Sequence, residues 1–403
     1  MDFTRHYDII VAGAGVAGVA AALEAARSGF KTALVEKTIL LGGLATTGLV
    51  NVYLPLCDGK GRQVIFGIAE ELLHLSIKYG PGSIPAGWKG SEPGAPAGRY
   101  LVRFSPAAFI LAIDEALQDA GVEIWLDTAA CCPVIEGGQV TGIEVENKSG
   151  RGLLSARCLV DATGEADLIH RAGAPCAEAQ NWMSVWTHQI SAQRLEQALD
   201  GVSAEALLNA TTLRLGANDR GAGHPPGYPL YSGTDGESVT RFVLDSRRLL
   251  REYYQQQVAS SAATRHTLFP VTLPSMAQFR MTRRIEGVES ILENQNNLHR
   301  ATSVGLTGDW RKPGPVWEIP YGALVPKGVQ GILAAGRCID SRDDAWQVLR
   351  VIPPAALTGQ IAGVAAGLAV RSGITPDQVP ADQVQREMHR RGIPCHLEDL
   401  PDL

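Results

Sequence analysis

Three glycines, Gly13, Gly15 and Gly18, stand between an apolar run, Tyr7 to Ala12, and an Ala-rich segment beginning at Val19. This spacing suits a diphosphate. The first glycine permits a tight turn, the second lets backbone approach the pyrophosphate, and the third lets a helix pack against its strand. The helix N-terminus then offers free N–H groups and partial positive charge. Glu36 follows 18 residues after Gly18, at the end of a second apolar run, where a carboxylate accepts hydrogen bonds from ribose hydroxyls and repels a 2′-phosphate. Ala14, Ala17 and Lys37 belong to the same expected surface. A glycine triplet alone is weak evidence; strand, turn, helix, strand and acid in register are much stronger.

The triplet does not separate NAD from FAD. Three more features favour FAD. A second glycine pair, Gly42-Gly43, follows the acid within Leu41 to Gly48, bringing Leu44 and Thr46 close. Asp161-Ala162-Thr163-Gly164 leads to Asp167, where the chain returns from a run of strands. Late in the chain, Ala335-Gly336-Arg337 precedes an Ala/Gly-rich helix that starts near Pro353-Pro354. An elongated dinucleotide crossing a sheet needs such contacts from distant stretches.

Flavin chemistry also needs a proton donor or acceptor and often an anchor for the substrate. Arg284, Arg337 and Arg350 can anchor a carboxylate, or serve as salt bridges between domains. His188, in an expected strand 186–190, can be a general base or a hydrogen-bonded core residue, and Tyr321 has similar standing. Trp182 and Trp186 can wall a pocket or simply pack. Arg103, just before a helix start, can cap or pair locally. Adjacent Cys131-Cys132 can be redox-active, but two small buried residues on a strand is the favoured reading.

The sequence resembles the FAD-dependent oxidoreductases of the glutathione-reductase-like superfamily, near the fumarate reductase and succinate dehydrogenase flavoproteins. The resemblance rests on Gly42-Gly43, on Asp161 to Gly164, and on Arg283-Arg284-Ile285-Glu286-Gly287. It rests also on Ile319-Pro320-Tyr321, on Leu324 to Lys327, and on Ala335-Gly336-Arg337 through Arg350 to Gly359-Gln360-Ile361-Ala362-Gly363. It implies that Gly13, Gly15 and Gly18 hold the pyrophosphate and Glu36 the ribose. It places Ala130 at the adenine edge, and Thr163, Gly164 and Asp167 on the phosphate–ribityl side. The last helix, from about Ala355, would aim its dipole at the flavin. One departure stands out: where relatives place histidines near the flavin, this chain has Asp340 to Trp346.

The elements that must position these groups read as α/β. The expected architecture is a Rossmann-like FAD-binding domain with a β-meander, plus an inserted α+β substrate domain. Expected boundaries are 1–172 and 326–375 for the two parts of the FAD-binding domain, 173–325 for the insertion and 376–403 for a C-terminal tail. Helices are expected over 62–82, from Ser105-Pro106 to Asp119, and over 238–258. A Gly/Pro-rich loop is expected at 83–98 and a hairpin around Gly137-Gly138.

With 45% hydrophobic and 19% charged residues, the chain is not intrinsically disordered. A net charge of −6 argues against nucleic-acid binding. Gly and Pro, 44 and 23 of 403 residues, imply many tight turns. Seven cysteines without a C-x-x-C pair suggest neither a disulfide framework nor a zinc site, and no other metal motif is found. No signal peptide is read at the start, and the apolar run 351–370 contains Pro353, Pro354 and Gln360, so a soluble cytoplasmic enzyme without membrane partners is expected. Its substrate would be a small molecule, and homo-oligomerisation stays open. Two alternatives remain: a non-redox flavoprotein such as an isomerase or lyase, and an NAD-binding protein like those of thiazole biosynthesis.

Overall fold

The computed structural model describes residues 1–400 except 86, 89–99 and 201–203, so most of the loop expected at 83–98 lies outside the described residues. Strand Phe3–Ala12, whose end Ile9–Ala12 is an apolar, fully buried run, is the central strand of a parallel sheet. Thr32–Val35 and then Glu123–Trp125 lie on one side of it, and Gly150–Asp161 and Ile332–Ala334 on the other. The C-terminal ends of three of these strands are fully buried, which fits their short apolar runs Ile9–Ala12, Cys158–Val160 and Ile332–Ala334. Strand Gly150–Asp161 changes partner along its length. Its first half pairs antiparallel with Gln139–Asn147, the middle of a meander whose hairpin turns at left-handed Gly137 and Gly138. Its second half pairs with Ile332–Ala334, so residues 173 positions apart are neighbours in the same sheet.

Two helices cover that sheet close together. Val16–Arg27 follows the first glycine turn, and Ile352–Ser372 is the Ala/Gly-rich helix. Their approach requires glycine: an added Cβ on Gly359 would lie 2.0 Å from the Ala17 carbonyl oxygen, and one on Gly363 2.7 Å from that of Ala21. Ile352–Ser372 is long and apolar enough to cross a membrane, yet nearly all of it is buried inside the protein. Gln360 fastens it to two neighbours, accepting from Ile68 N–H and donating to Glu24, both at 2.9 Å.

The helix expected over 62–82 is shorter, Ile68–Ile77. Val64 and Ile65 are buried, but in an extended approach that ends at left-handed Gly67 (φ +70°). Pro106–Asp119 begins as expected, with Ser105 Oγ accepting from Ala108 N–H at 3.4 Å.

A separate antiparallel sheet orders Thr212–Gly216, Ser184–Ser191 and Leu268–Thr272. One face packs under helix Gly236–Ala259 through Val185, Leu213 and Leu250, while Met183, Tyr231, Phe242 and Phe279 make an adjoining small core. Core membership does not follow the expected boundary at 325. Strands Ser303–Gly308 and Val316–Pro320 bury Val304, Leu306, Trp317 and Ile319 in the main core. The expected tail also contains a helix, Ala381–Arg390, whose Val384 and Met388 are fully buried.

Candidate functional site

A cleft of about 1080 Å³, its open mouth included, runs along the C-terminal ends of the parallel strands. This is where open α/β sheets bind ligands, because strand ends and helix N-termini leave backbone groups unpaired. Both glycine turns meet here. Gly42 N–H donates to the Ala14 carbonyl at 2.8 Å, and a Cβ on Gly43 would sit 3.0 Å from Gly15 Cα.

The three glycines of the first turn do different work. Gly13 is left-handed (φ +92°), and its Cβ would collide with the Ala162 backbone at 2.6 Å. Gly18 packs the helix onto the turn, where an added Cβ would lie 1.8 Å from Gly13 O, and does not line the cleft. Gly15 has an ordinary extended backbone (φ −64°), and its Cβ would meet nothing within 4 Å. Space is therefore kept beside Gly15 that the protein itself does not fill. The helix that follows has no side-chain cap, so its first N–H groups remain available at the cleft wall formed by Gly15, Val16 and Ala17. Such a cradle fits a diphosphate.

Glu36 lies at the cleft but is already engaged. One oxygen accepts from Ala14 N–H at 2.9 Å, the other from Thr38 N–H and Oγ at 2.9 and 3.0 Å. Buried Ala14 thus supports the acid rather than lining the cleft. Lys37, Ala130 and Thr128 continue the wall at this end.

The return turn is organised by Asp161, fully buried. Its carboxylate accepts from Thr163 N–H and Oγ and from the N–H groups of Leu168 and Ile169, at 2.7 to 3.1 Å. Burial nevertheless pushes its pKa up to about 6. The turn presents Ala162, Thr163, Gly164 and Asp167 to the cleft. Arg337 latches this turn to the late strand. Its Nε donates to Gly164 O at 2.8 Å, one terminal nitrogen donates to Phe279 O at 2.9 Å, and the other is ion-paired with Glu165. Gly336 is left-handed (φ +80°) and lines the cleft with Ala335, Ile352 and Ala355. Because Pro353 and Pro354 lack N–H groups and Ala355 N–H bonds Val351 O, the last helix offers only Ile352 N–H as a free first-turn donor.

Of the expected catalytic side chains, Arg350 reaches the cleft, with Nε donating to Gln347 Oε1 at 2.8 Å. Burial first, and then the charge of Arg280, push its pKa down to about 9. The other three expected groups are placed elsewhere. Arg284 pairs with Asp340 at 2.9 Å and lies against Trp346. Tyr321 is buried and donates to Pro376 O at 2.6 Å. His188 sits mid-strand in the second sheet, its pKa lowered by burial.

Thr46 is turned inward, donating to Leu41 O at 2.5 Å. Its neighbour Thr47 lines the cleft instead, beside Met276. Met276 comes from the second sheet's side of the chain, and no local signal marks it. The Asp340 segment is a structural knot. Buried Asp340 receives Arg284, Arg342, Ser290 Oγ and Gly287 N–H. Cys131-Cys132 lies on a strand, but Cys132 is exposed, because that strand is the sheet edge.

One cluster could not be seen in the linear sequence. His299, Glu318 and His396 bring potential ligand atoms within 4.8 Å of one another. Glu318 already accepts from the N–H groups of Arg300 and Leu397 and faces His396 Nδ1 at 3.1 Å. The contacts fasten the C-terminal segment to strand Val316–Pro320.

Comparison with known proteins agrees with this site. The model of the family "FAD dependent oxidoreductase" matches residues 8–225 and 283–388, covering both glycine turns, the Asp161 turn and the Gly336 helix. A thioredoxin reductase of Ureaplasma parvum is 38% identical over 71 residues, 18% of this chain and 23% of that protein. An L-aspartate oxidase of Mycobacterium tuberculosis is 29% identical over 186 residues, 39% of this chain and 35% of that enzyme. The chain therefore spans about a quarter to a third of the length of these curated relatives. Among solved structures, p-nitrophenol 4-monooxygenase from Pseudomonas putida superposes with a TM-score of 0.53 at 11% identity, covering 97% of this chain and 85% of that one, a likeness of fold alone. Because the family model spans well over half of the sequence and both glycine turns of the cleft, the chain belongs to the FAD dependent oxidoreductase family.

Proposed function

We propose that the cleft holds FAD along its length and that the chain uses it to oxidise or reduce a small organic substrate by hydride transfer. Gly13, Gly15 and the uncapped helix Val16–Arg27 would take the diphosphate. Glu36, Lys37 and Ala130 would flank the adenosine. Thr163, Gly164 and Asp167 would face the ribityl side. Arg350, Met276 and the start of Ile352–Ser372 would surround the ring. Bound FAD supplies a ring that takes up or gives up a hydride. Arg350 then places positive charge where reduction builds negative charge, and Ile352 N–H adds the one free donor of its helix. Seven free thiols fit a reducing, cytoplasmic compartment.

The observation that carries this reading is the empty space beside Gly15, at an uncapped helix N-terminus and between two glycine turns. Gly15→Leu tests it directly. Its side chain has room in the protein alone, so the variant should fold and melt within a few degrees of wild type. It should also lose the 450-nm flavin absorbance and the FAD that mass spectrometry finds in the wild type. Full flavin content in Gly15→Leu would refute the placement. Wild-type protein that is colourless and cannot be loaded with FAD would refute the reading itself.

A further inference from the structure

Arginines in enclosed surroundings are paired nearly everywhere in this chain. Arg283 meets Glu178, Arg284 meets Asp340, Arg300 meets Glu289, Arg311 meets Asp309 and Asp344, and Arg337 meets Glu165. Three are not. Among the described residues, Arg350, Arg280 and Arg214 have no carboxylate within 4.0 Å. Arg350 has neutral Gln347. Arg280 donates to the carbonyls of Asn218 and Ala217 and to Ser184 Oγ. Arg214 lies over the Trp186 ring, 5.3 Å from its centroid.

These three act on one another. Arg350 feels the charge of Arg280, and Arg280 that of Arg214, with Asp219 the shared through-space counter-charge. Burial and then the charge of Arg214 push the pKa of Arg280 down to about 10. A guanidinium does not lose its proton in a protein, so such depression measures positive charge that lacks a partner. Concentrating unpaired like charge is costly, and an anion relieves it.

The surroundings have the form of a binding surface. Ser184, Trp186 and His188 alternate along their strand and share one face; Leu250 and its helix cover the other. On the open face Arg280 reaches Ser184, Arg214 is the register partner of Trp186, and Thr212 that of His188. Two buried polar atoms here have no partner: His188 Nε2 and Oδ1 of fully buried Asn51, whose Nδ2 contacts Thr212. The cofactor does not account for the charge. Arg350 lines its cleft, but Arg280 and Arg214 do not, and the diphosphate cradle lies at the first glycine turn.

We infer that the substrate carries an oxyanion, a carboxylate or a phosphate, and that Arg350, Arg280 and Arg214 receive it where the second sheet faces the cofactor cleft. This rests on FAD occupying that cleft, and the test separates the two claims. The flavin-loaded protein is titrated with malonate, with inorganic phosphate and with neutral malonamide. Both the flavin difference spectrum and tryptophan fluorescence are followed. At least one anion should bind saturably and about tenfold or more tighter than malonamide, a ratio expected of charge-assisted hydrogen bonds. Arg350→Gln and Arg214→Gln should each weaken the anion about tenfold, Arg214→Gln without changing FAD content. Malonate alone binding assigns a carboxylate; phosphate alone assigns a phosphate. Should Arg350→Gln fail to fold, solvent-exposed Arg214→Gln carries the test. Anions binding no better than malonamide, or variants binding them as well as wild type, would overturn the inference. If the protein cannot be loaded with flavin, the cofactor reading falls, while fluorescence still reports whether the anions bind.

Discussion

The two glycine turns and the second sheet meet at one cleft, yet they are specified by different physics. At the turns, residue type follows from the local backbone. Gly13 must be left-handed, Gly18 must touch a carbonyl, and Gly15 must leave space. Around the second sheet, nothing local singles out Arg280, Arg214 or Met276; they become significant because packing brings the irregular stretch 273–282 against the cleft at Met276 and against the strand face of Ser184 and Trp186 at Arg280. The first kind of site is written in spacing, the second in packing.

The sharpest way to break this contrast lies within the first turn. Gly18→Ala puts a methyl 1.8 Å from a backbone oxygen, which cannot move without opening the turn. It should cost roughly 4 kcal/mol or more, giving little folded protein by circular dichroism. Gly15→Leu, a larger change three residues away, should fold and lose only flavin. Equal damage from both would mean that the space beside Gly15 is structural.

The latch between regions comes next. Arg337 is 8% exposed and joins the Gly164 turn, Glu165 and Phe279 of the inserted stretch. Arg337→Met leaves Glu165 without its partner and should cost about 3 kcal/mol in denaturant unfolding, with weaker FAD retention. Loss of less than ~1 kcal/mol would show that the two regions hold together without it.

These cases show why some of the site was legible in sequence and some was not. Gly13, Gly15, Glu36, Gly42, Gly43 and Gly164 were readable because a turn's demands fall on consecutive residues. Thr46 and Thr47 exchanged roles because they sit at the end of a tight 3-10 turn, where one residue's step redirects a side chain from cleft to core. Arg284 and Tyr321 lie in motifs of the right kind, but their partners, Asp340 and Pro376, are 56 and 55 positions away. Val64 and Ile65 carry helical spacing, yet left-handed Gly67 delays the helix. The fold class was readable because the cleft-side ends of the parallel strands, such as Ile9–Ala12 and Ile332–Ala334, are short apolar runs; where the insertion's core ends was not, since strands 303–308 and 316–320 look alike whichever core they join.

A pH measurement sharpens the comparison at the Asp161 turn. The folded-state pKa of about 6 lies above the ordinary 3.8, so the native state binds this proton more tightly than the unfolded chain. The contribution is full below about pH 4 and is lost as pH rises through 6, amounting to roughly 2–3 kcal/mol. Asp161→Asn should flatten that part of the profile while lowering stability, because an amide nitrogen cannot accept from the N–H groups Asp161 serves. An unchanged slope between pH 4 and 6 would assign the titration elsewhere.

The smallest effect is expected at a residue outside the cleft lining. Tyr321 donates a buried hydrogen bond to Pro376 O, and burial raises its pKa, so it stays a neutral donor. Tyr321→Phe keeps the ring and leaves that carbonyl unmet, which should cost about 1–2 kcal/mol. Were Tyr321 a proton donor in the reaction, the same change would instead lower the rate of flavin reduction by about a hundredfold at unchanged stability. A ring that only ties the C-terminal segment to the main core lowers the melting temperature and leaves the flavin spectrum, the reduction rate and its pH profile where they were. Measuring melting and reduction on the same preparation therefore decides whether a tyrosine in a family motif serves the reaction or the fold.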